Sequence, residues 1–458
     1  MTLAPNRLPL LNGNNFLILF TIIAGISSCS SKKITSTQRV EVVSIKMPST
    51  EKSTKKEDSL WRKPEAVDID NNLNKTQLLN SNTGTYTKDN IYLPQETNRI
   101  RNLAVILPFH LNQIPLGQYA DDTTKQLNPE SKYAMDFYLG CLMAKEKFAN
   151  SNLKANVYFL DDANDSLSTV NLLYQKPFPN VDYIIGPLYG KNLKSIADYA
   201  KTNKITMLSP LVNSMYIRDN AYYFNGIASP ITQYNFIFEH IKKKYLGKTI
   251  EVVYDGQDAS DENIDILKPL ADKHFRFNEI KYISIPMGAD VSKALNSPDT
   301  TTDRIILIYS NKDSYNKFII GKLKQFKNHF EVFTSSCTRN TKALVEVKST
   351  NTVYTVSPYN TSNPNYAHFA AKFEEKYKKT PNDAVTIGFD LMMHLFYLME
   401  KGIILQDNTF NLSADFDNTQ TKFQFKPILN KSEAIDFYDN TYLNLYKYSN
   451  GTFIPFIP

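Results

Sequence analysis

Apolar runs of five or six residues alternate with amphipathic segments along most of the chain after residue 100. The runs predict strands, and the amphipathic segments between them predict helices with one apolar face. In the first half of this region the predicted strands are 103–108, 156–160, 181–185 and 205–209, and the predicted helices are 130–149, 166–174 and 191–202. This alternation is typical of a parallel sheet with helical crossovers, so the sequence predicts an α/β fold.

The second half of the region repeats the alternation. Its predicted strands are 249–254, 281–285 and 304–309, and its predicted helices include 263–274 and 314–326. The chain crosses between the halves at Phe224–Pro230 and again at Val353–Pro358, after which helices at 366–377 and 384–401 return to the first half. From Phe423 to Pro458 aromatic and polar residues alternate, which predicts terminal strands and leaves room for a third crossing.

The segment between Val181 and Asn213 combines a buried strand, a Gly186-Pro187 turn, an amphipathic helix and a second strand. Its two loops follow neighbouring parallel strands, so they lie at the carboxyl edge of the sheet. Open α/β sheets bind ligands at this edge. The sequence therefore predicts a binding site here.

The motifs of this segment, IIGPLYG at 184–190 and ITMLSPLVNS at 205–214, resemble the first lobe of type 1 periplasmic binding proteins. These are two-lobed receptors, and their leucine-binding members serve ABC transporters. Four further motifs resemble the family in the same order: LAVILP at 103–108, YLGCLMA at 138–144, VYFLDD at 157–162 and FEEKYKKTPNDAVTIGFD at 373–390. The resemblance extends from about Arg101 to the C-terminus.

The resemblance implies a two-lobed α/β fold, in which each lobe is a largely parallel sheet sandwiched by helices and a hinge joins the lobes. Lobe 1 is expected to comprise about residues 101–227 and 358–405. Lobe 2 is expected to comprise about residues 228–357 and part of 406–458.

The resemblance also implies where a ligand is contacted. Amino-acid-binding relatives carry a small hydroxyl residue after the Gly-Pro turn, but Leu188-Tyr189-Gly190 stands there in this chain, so the usual contacts to a free amino acid are not expected. The candidate ligand-binding residues are Phe109, His110, Leu188, Tyr189, Gly190, Ser209, Asn213, Ser214, Tyr254, Asp255, Tyr309 and Ser357. Ser209 and Asn213 fit a local capping role equally well, and a lone His110 also fits a solvated or capping side chain.

The N-terminus resembles that of a bacterial lipoprotein. An apolar stretch, Phe16–Ala24, is too short to span a bilayer and is typical of a signal peptide, and the following Ile26-Ser27-Ser28-Cys29 resembles a lipobox. We expect a signal peptide at 1–28, a lipid on Cys29 and a flexible tether at 29–100, although a strand near Glu41–Met47 could pack back on the domain. This implies a lipid-anchored, periplasm-facing protein of the cell envelope, and the non-acidic Ser30 favours the outer membrane.

Composition narrows the function further. The net charge of +6 is modest and no basic stripe carries interleaved aromatic residues, so a nucleic-acid partner is not expected. Cys141 and Cys337 fall in different predicted lobes, which favours free thiols over a disulfide. The chain has no G-x-S-x-G, H-E-x-x-H or paired C-x-x-C motif, so we expect no enzyme, no cofactor and no metal site.

Two classes of function remain. The first is a receptor that closes its lobes on a small molecule, whose identity the sequence leaves open, and that serves a transporter or sensing. The second is a scaffold or regulator of cell-envelope or peptidoglycan synthesis that binds a protein or glycan. Lipoprotein activators of penicillin-binding proteins, which carry a similar two-lobed domain with a GPL turn, are the precedent for the second class.

Overall fold

Two twisted sheets organise the chain, one in each lobe. The computed structural model describes residues 41–44, 100–113, 127–151, 153–174, 181–212, 217–257, 264–296, 303–336, 351–360, 362–400 and 418–456. The predicted signal peptide, Cys29, Cys337 and most of the predicted tether lie outside these residues. No helix in the described ranges combines the length and the apolar character needed to cross a membrane.

The lobe 1 sheet has the strand order β1-β3-β2-β4-β5-β6-β13-β12. Its strands are β1 Glu41–Ser44, β2 Arg101–Leu107, β3 Ala155–Asp161, β4 Tyr183–Ile185, β5 Thr206–Ser209, β6 Tyr223–Asn225, β12 Phe425–Leu429 and β13 Ile435–Asn440. The central strands are parallel, while β1 and β12 pair antiparallel with their neighbours at the two edges. β1 falls inside the predicted tether.

The lobe 2 sheet has the order β15-β14-β11-β10-β9-β7-β8. Its strands are β7 Ile250–Tyr254, β8 Ile280–Ser284, β9 Arg304–Tyr309, β10 Phe330–Thr334, β11 Thr352–Ser357, β14 Asn444–Ser449 and β15 Thr452–Pro455. The strands from β8 to β11 are parallel, and β14 and β15 add an antiparallel edge.

Helices cover both faces of each sheet. They are α1 Pro129–Lys147, α2 Ser166–Leu173, α3 Leu193–Asn203, α4 Pro230–Lys244, α5 Ile264–Ala271, α6 Val291–Ala294, α7 Asp313–Leu323, α8 Pro364–Tyr377 and α9 Asp383–Glu400. In lobe 1, α1, α8 and α9 enclose one core and α2 and α3 a second. In lobe 2, α4 and α5 pack on one face, and α6 and α7 on the other.

The helices α1 and α9 cross at two glycines. A Cβ atom on Gly140 would lie 2.1 Å from the Val385 carbonyl oxygen, and one on Gly388 would lie 2.4 Å from the Phe137 carbonyl oxygen. Both distances are far shorter than a van der Waals contact, so a side chain at either position would force the helix backbones apart. These two glycines therefore allow α1 and α9 to pack closely against each other in lobe 1.

The two-lobed α/β prediction is confirmed, and the structure adds elements to it, among them α4 and β10. α4 was not predicted, although Ser229 caps its N-terminus and Pro230 occupies its first turn, a common helix start. β10 was not predicted either, and it lies between β9 and β11 at the centre of the lobe 2 sheet. Lobe 2 thus contains more helices and strands than the sequence indicated, and its alternation of strands and helices resembles that of lobe 1 more closely.

Candidate functional site

Three chain crossings join the carboxyl edge of one sheet to the carboxyl edge of the other. β6 ends at Asn225 and leads into α4, β11 ends at Ser357 and leads into α8, and β13 ends at Asn440 and leads into β14. β13 is parallel to β6 and β14 is antiparallel to β11, so all three crossings meet the same two edges. The loops that follow the parallel strands of both lobes therefore converge on the cleft beside the hinge.

A buried joint holds the first and third crossings together. Asp439 of β13 is fully buried, and its carboxylate accepts hydrogen bonds from Asn225 Nδ2 at 3.1 Å, from the Ser229 backbone N at 3.1 Å and from Ser229 Oγ at 2.6 Å. Thr232 Oγ1 donates to the same group. Burial raises the pKa of Asp439 to about 6, against the lowering effect of these donors. One lobe 1 strand is thereby tied to the first turn of a lobe 2 helix.

A second buried carboxylate organises the segment beside the middle crossing. Asp390 of α9 accepts from the backbone N atoms of Thr419, Gln420 and Thr421 at 2.6, 2.9 and 2.8 Å. Burial raises its pKa to about 6 as well. The segment it fixes pairs with the crossing itself, because Thr421 forms a β-bridge with Tyr359.

On the lobe 1 edge, a polar cluster surrounds Glu130 at the first turn of α1. Buried His110 lies with its Nε2 2.9 Å from Glu130 Oε2, and Asn164 Nδ2 donates to the same carboxylate at 3.2 and 3.3 Å. On the other side of the imidazole ring, Gln113 Nε2 lies 3.3 Å from His110 Nδ1. Burial, followed by the negative charge of Glu130, raises the pKa of the Tyr189 phenol. Of the predicted site residues, His110 therefore contacts the Glu130 carboxylate, and Tyr189 lies within reach of its charge.

Asp161, the last residue of β3, holds the loop of His110 in place. Asp161 accepts from the backbone N atoms of His110 at 3.1 Å and Leu111 at 2.7 Å. Its neighbour Asp162 is buried and accepts from Asn192 Nδ2 at 3.1 Å. Burial raises the pKa of Asp162. Both aspartates therefore position loops, whereas the Glu130 side chain is 34% exposed.

The Gly186-Pro187 peptide bond is cis, and Gly186 has a φ of 120°, a conformation suited to glycine. The turn aims the next residues in different directions: Leu188 is 2% exposed and packs in the core, whereas Tyr189 is half-buried against it. Gly190 is exposed, and a Cβ there would meet only Val212 Cγ1 at 3.6 Å. Of the three predicted contacts, Tyr189 combines a polar group with partial exposure.

The remaining predicted residues of lobe 1 lie nearby. Phe109 is half-buried and packs edge-to-face on Tyr138, with ring centroids 6.0 Å apart. Ser209 is buried, and its hydroxyl donates to the Val212 carbonyl, which closes the turn after β5. Asn213 and Ser214 lie outside the described residues.

The predicted residues of lobe 2 are mostly engaged in their own loops. Asp255 accepts from the backbone N atoms of Gln257 at 3.1 Å and Met287 at 3.2 Å. Tyr309 is 3% exposed and its ring lies 4.8 Å from that of Tyr234. The other two are Tyr254, half-buried against the core, and Ser357, whose Oγ accepts from the Tyr359 backbone N.

Hydrogen bonds also link the ends of β9 and β10 to α4. Ser335 Oγ donates to the Ser310 carbonyl at 3.0 Å, and the Ser336 backbone N donates to Gln233 Oε1 at 2.9 Å. Gln233 Nε2 in turn donates to the Ala228 carbonyl in the first crossing. Hydrogen bonds therefore link the carboxyl edge of the lobe 2 sheet to the first crossing of the hinge.

Sequence reasoning missed Glu130, Gln233 and Asp439. Glu130 directly follows a proline at a helix start. An acidic residue there is typical of a helix N-terminus, so its position at the ligand-facing edge was not predicted. Gln233 and Asp439 have no local signal, because their partners lie far away in the chain. Groups of three or more His, Cys, Asp or Glu side chains suited to a metal ion are absent from the described ranges.

Comparison with known proteins identifies the fold. No family model matches the chain, and no curated protein matches it. Among solved structures, a putative branched-chain amino acid ABC transporter protein from Rhodospirillum rubrum aligns at 13% identity with a TM-score of 0.57, covering 78% of this chain and 100% of that one. An ABC transporter substrate-binding protein from Desulfitobacterium hafniense aligns at 13% identity with a TM-score of 0.52 and the same coverage.

LpoA from Haemophilus influenzae also aligns, at 13% identity with a TM-score of 0.51. That match covers 80% of this chain and 60% of LpoA. At such low identities the likeness concerns the fold alone: this chain has the two-lobed α/β fold of type 1 periplasmic binding proteins.

Proposed function

We propose that this protein is a non-enzymatic binding protein of the bacterial cell envelope that closes its two lobes on a small solute. The solute is amino-acid-like, a peptide or a related molecule, and it is held for transport or sensing. The observation that carries the proposal is the convergence of the two carboxyl edges on one hinge. Closure of two lobes about such a hinge is an established way to enclose a ligand.

The lobe 1 cluster gives the cleft its chemistry. Glu130 is partly exposed and accepts charge-assisted hydrogen bonds, which suit an ammonium group or another cationic donor on the solute. Tyr189, half-buried on the same edge of the sheet, adds a ring and a hydroxyl. His110, which is buried behind the carboxylate, orients Glu130 and leaves its exposed part to the ligand.

The location follows from the same reasoning. The signal-peptide and lipobox pattern supports the proposal of a lipid on Cys29 and of a periplasm-facing protein, with the outer membrane preferred. The shared fold with ABC-transporter proteins supports the envelope location alone.

A second candidate is a scaffold or regulator of cell-envelope or peptidoglycan synthesis. One observation favours it: four of the predicted ligand contacts are buried and take part in local packing or turns instead. They are Leu188, Ser209, Tyr309 and Ser357. The shared fold with LpoA supports it also. In this case the cleft faces need not close on a solute, and a protein or glycan partner binds elsewhere.

A thermal-shift screen of the full chain against amino acids, short peptides, sugars and muropeptides separates the two candidates. A ligand at 100 times its dissociation constant stabilises the native state by about 2.7 kcal/mol, a shift of a few degrees. Glu130→Gln should abolish the shift for a cationic solute. Glu146→Gln, near the other end of the same helix and paired with Lys376, is the matched control and should keep it.

Two results would contradict the receptor proposal. One is a screen in which no compound raises the unfolding temperature of a chain that unfolds cooperatively. The other is a ligand whose shift is equal in the two glutamine variants, because the solute would then bind away from the Glu130 cluster.

A further inference from the structure

A groove of about 440 Å³ lies between the end of α4 and the end of α5 in lobe 2. The loops that frame it precede β7 and β8, so it lies at the amino edge of the sheet, opposite the hinge and the cleft. Half-buried Tyr245 and Phe275 are aromatic members of its lining. This surface is therefore independent of the proposed solute site.

Cations dominate the charged lining of the groove. Lys242, Lys248, Lys273 and Arg276 line it and are all exposed, against the two acidic residues Asp272 and Glu279. Glu279 is half-buried, and its Oε2 accepts from the Arg276 backbone N at 2.8 Å, so part of its hydrogen-bonding capacity is used in its own turn. The groove is therefore a positively charged concavity with room for an anionic group.

The two most exposed large apolar side chains of the described residues flank this groove. Phe277 is 97% exposed and follows Arg276, and Leu246 is 82% exposed and lines the groove. Single exposed apolar residues are common, but two that protrude beside one cationic groove mark an interaction surface. Interfacial membrane binding combines Phe and Leu side chains that enter the headgroup boundary with Lys and Arg side chains that attract anionic lipids, and the rim of this groove carries both kinds.

We propose that this groove docks on a lipid bilayer with anionic headgroups. A headgroup phosphate enters the groove among Lys242, Lys248, Lys273 and Arg276, while Leu246 and Phe277 insert beside it into the boundary between headgroups and acyl chains. A rigid protein partner would offer shaped pockets to these side chains, whereas a bilayer accepts protruding ones without such a fit. Docking by this edge leaves the cleft facing away from the membrane.

Vesicle flotation of the full chain with Cys29→Ala, which removes lipidation, tests the proposal. Binding to vesicles of phosphatidylcholine with about 30 mol% phosphatidylglycerol is compared with binding to vesicles of pure phosphatidylcholine. Each basic residue near an anionic surface contributes roughly a fivefold gain in affinity, so Lys248→Gln/Arg276→Gln should weaken binding about 25-fold. Leu246→Ser/Phe277→Ser should weaken it about tenfold or more.

Matched controls come from lobe 1. Lys201→Gln/Lys426→Gln removes two exposed cations, and Leu167→Ser/Tyr174→Ser removes two exposed apolar side chains. Both should bind vesicles as the parent does. A parent that does not prefer the anionic vesicles overturns the proposal, as does equal loss in groove and control variants.

Insertion is measured directly with one fluorescent residue. The chain contains a single tryptophan, Trp61, so Trp61→Phe/Phe277→Trp moves the only indole to the rim of the groove. Brominated acyl chains should quench this indole on binding. An unquenched indole, or groove variants that lose capture of an acidic protein while vesicle binding is unchanged, would identify a protein surface and refute membrane docking.

Discussion

Asp439→Asn tests the buried joint of the hinge, because it removes the charge and keeps the size of the side chain. An amide nitrogen does not accept from the Ser229 and Thr232 groups that donate to the carboxylate. An unsatisfied buried hydrogen-bonding group costs about 1–3 kcal/mol. At acidic pH, where the native carboxyl is protonated, we therefore expect the variant to be less stable by roughly this amount.

The difference between the two chains should change with pH. The pKa of Asp439 is about 6 in the folded chain against 3.8 for an ordinary aspartate. Between these values the folded state binds more protons than the unfolded state, so the stability of the native chain falls as pH rises. At about 1.4 kcal/mol per pKa unit this loss is about 3 kcal/mol, and it is complete above pH 6 or so. Asparagine does not titrate, so the variant lacks this loss.

Urea unfolding of both chains between about pH 3.5 and pH 7 measures the effect. The difference in unfolding free energy should move by about 3 kcal/mol in favour of Asp439→Asn, which makes the variant equal to the native chain or up to about 2 kcal/mol more stable at pH 7. Asp198→Asn, an exposed carboxylate on α3, controls for the charge change. A difference that stays constant with pH, or moves the opposite way, would refute the account of a destabilised buried carboxylate.

Three further predictions concern the core. Asp390→Asn should show the same trend with pH in urea unfolding, since burial raises the pKa of Asp390 to about 6 as well, and a pH-independent effect would contradict this. Gly388→Ala should lower the unfolding free energy by about 1–3 kcal/mol because its Cβ would meet the Phe137 carbonyl oxygen at 2.4 Å, whereas the control Gly190→Ala should change it little. Cys141 is buried and burial raises the pKa of its thiol, so with Cys29→Ala and Cys337→Ala in place a maleimide should label it only after unfolding; rapid labelling of the native chain would contradict this burial.

Most of the fold was predictable because the strands of parallel sheets are continuous apolar runs. β9, for example, reads RIILIY and was placed at its observed bounds, 304–309. α4 was missed because its start was interpreted as the hinge crossing alone, although buried Tyr234, Ile237, Phe238 and Ile241 follow helical spacing. β10 was missed because it is a short run of five residues that directly follows polar Asn328 and His329.

The site was less predictable because its contacts join distant parts of the chain. Strand polarity indicated correctly that Tyr189 and His110 follow neighbouring strands, but Glu130, which contacts His110 and adds to burial in raising the pKa of Tyr189, comes from a helix start. Asp439 lies 214 residues from Asn225 and 210 from Ser229, and nothing local to any of the three indicates the joint. The residues that follow the strands thus predict where a site lies. Which of their side chains are exposed to a ligand depends on burial, which the sequence does not give.

The pairing of β1 with β3 changes the distance over which this domain can operate. With Cys29 as the proposed attachment point, a chain free up to β2 has 72 residues of slack, an extended length of about 240 Å. Once Glu41–Ser44 lies against the sheet edge, 12 residues separate the lipid from the folded domain, an extended length of about 40 Å. With a lipid on Cys29, as proposed, the pairing of this four-residue strand with β3 would therefore limit how far the domain reaches from the membrane that holds the lipid.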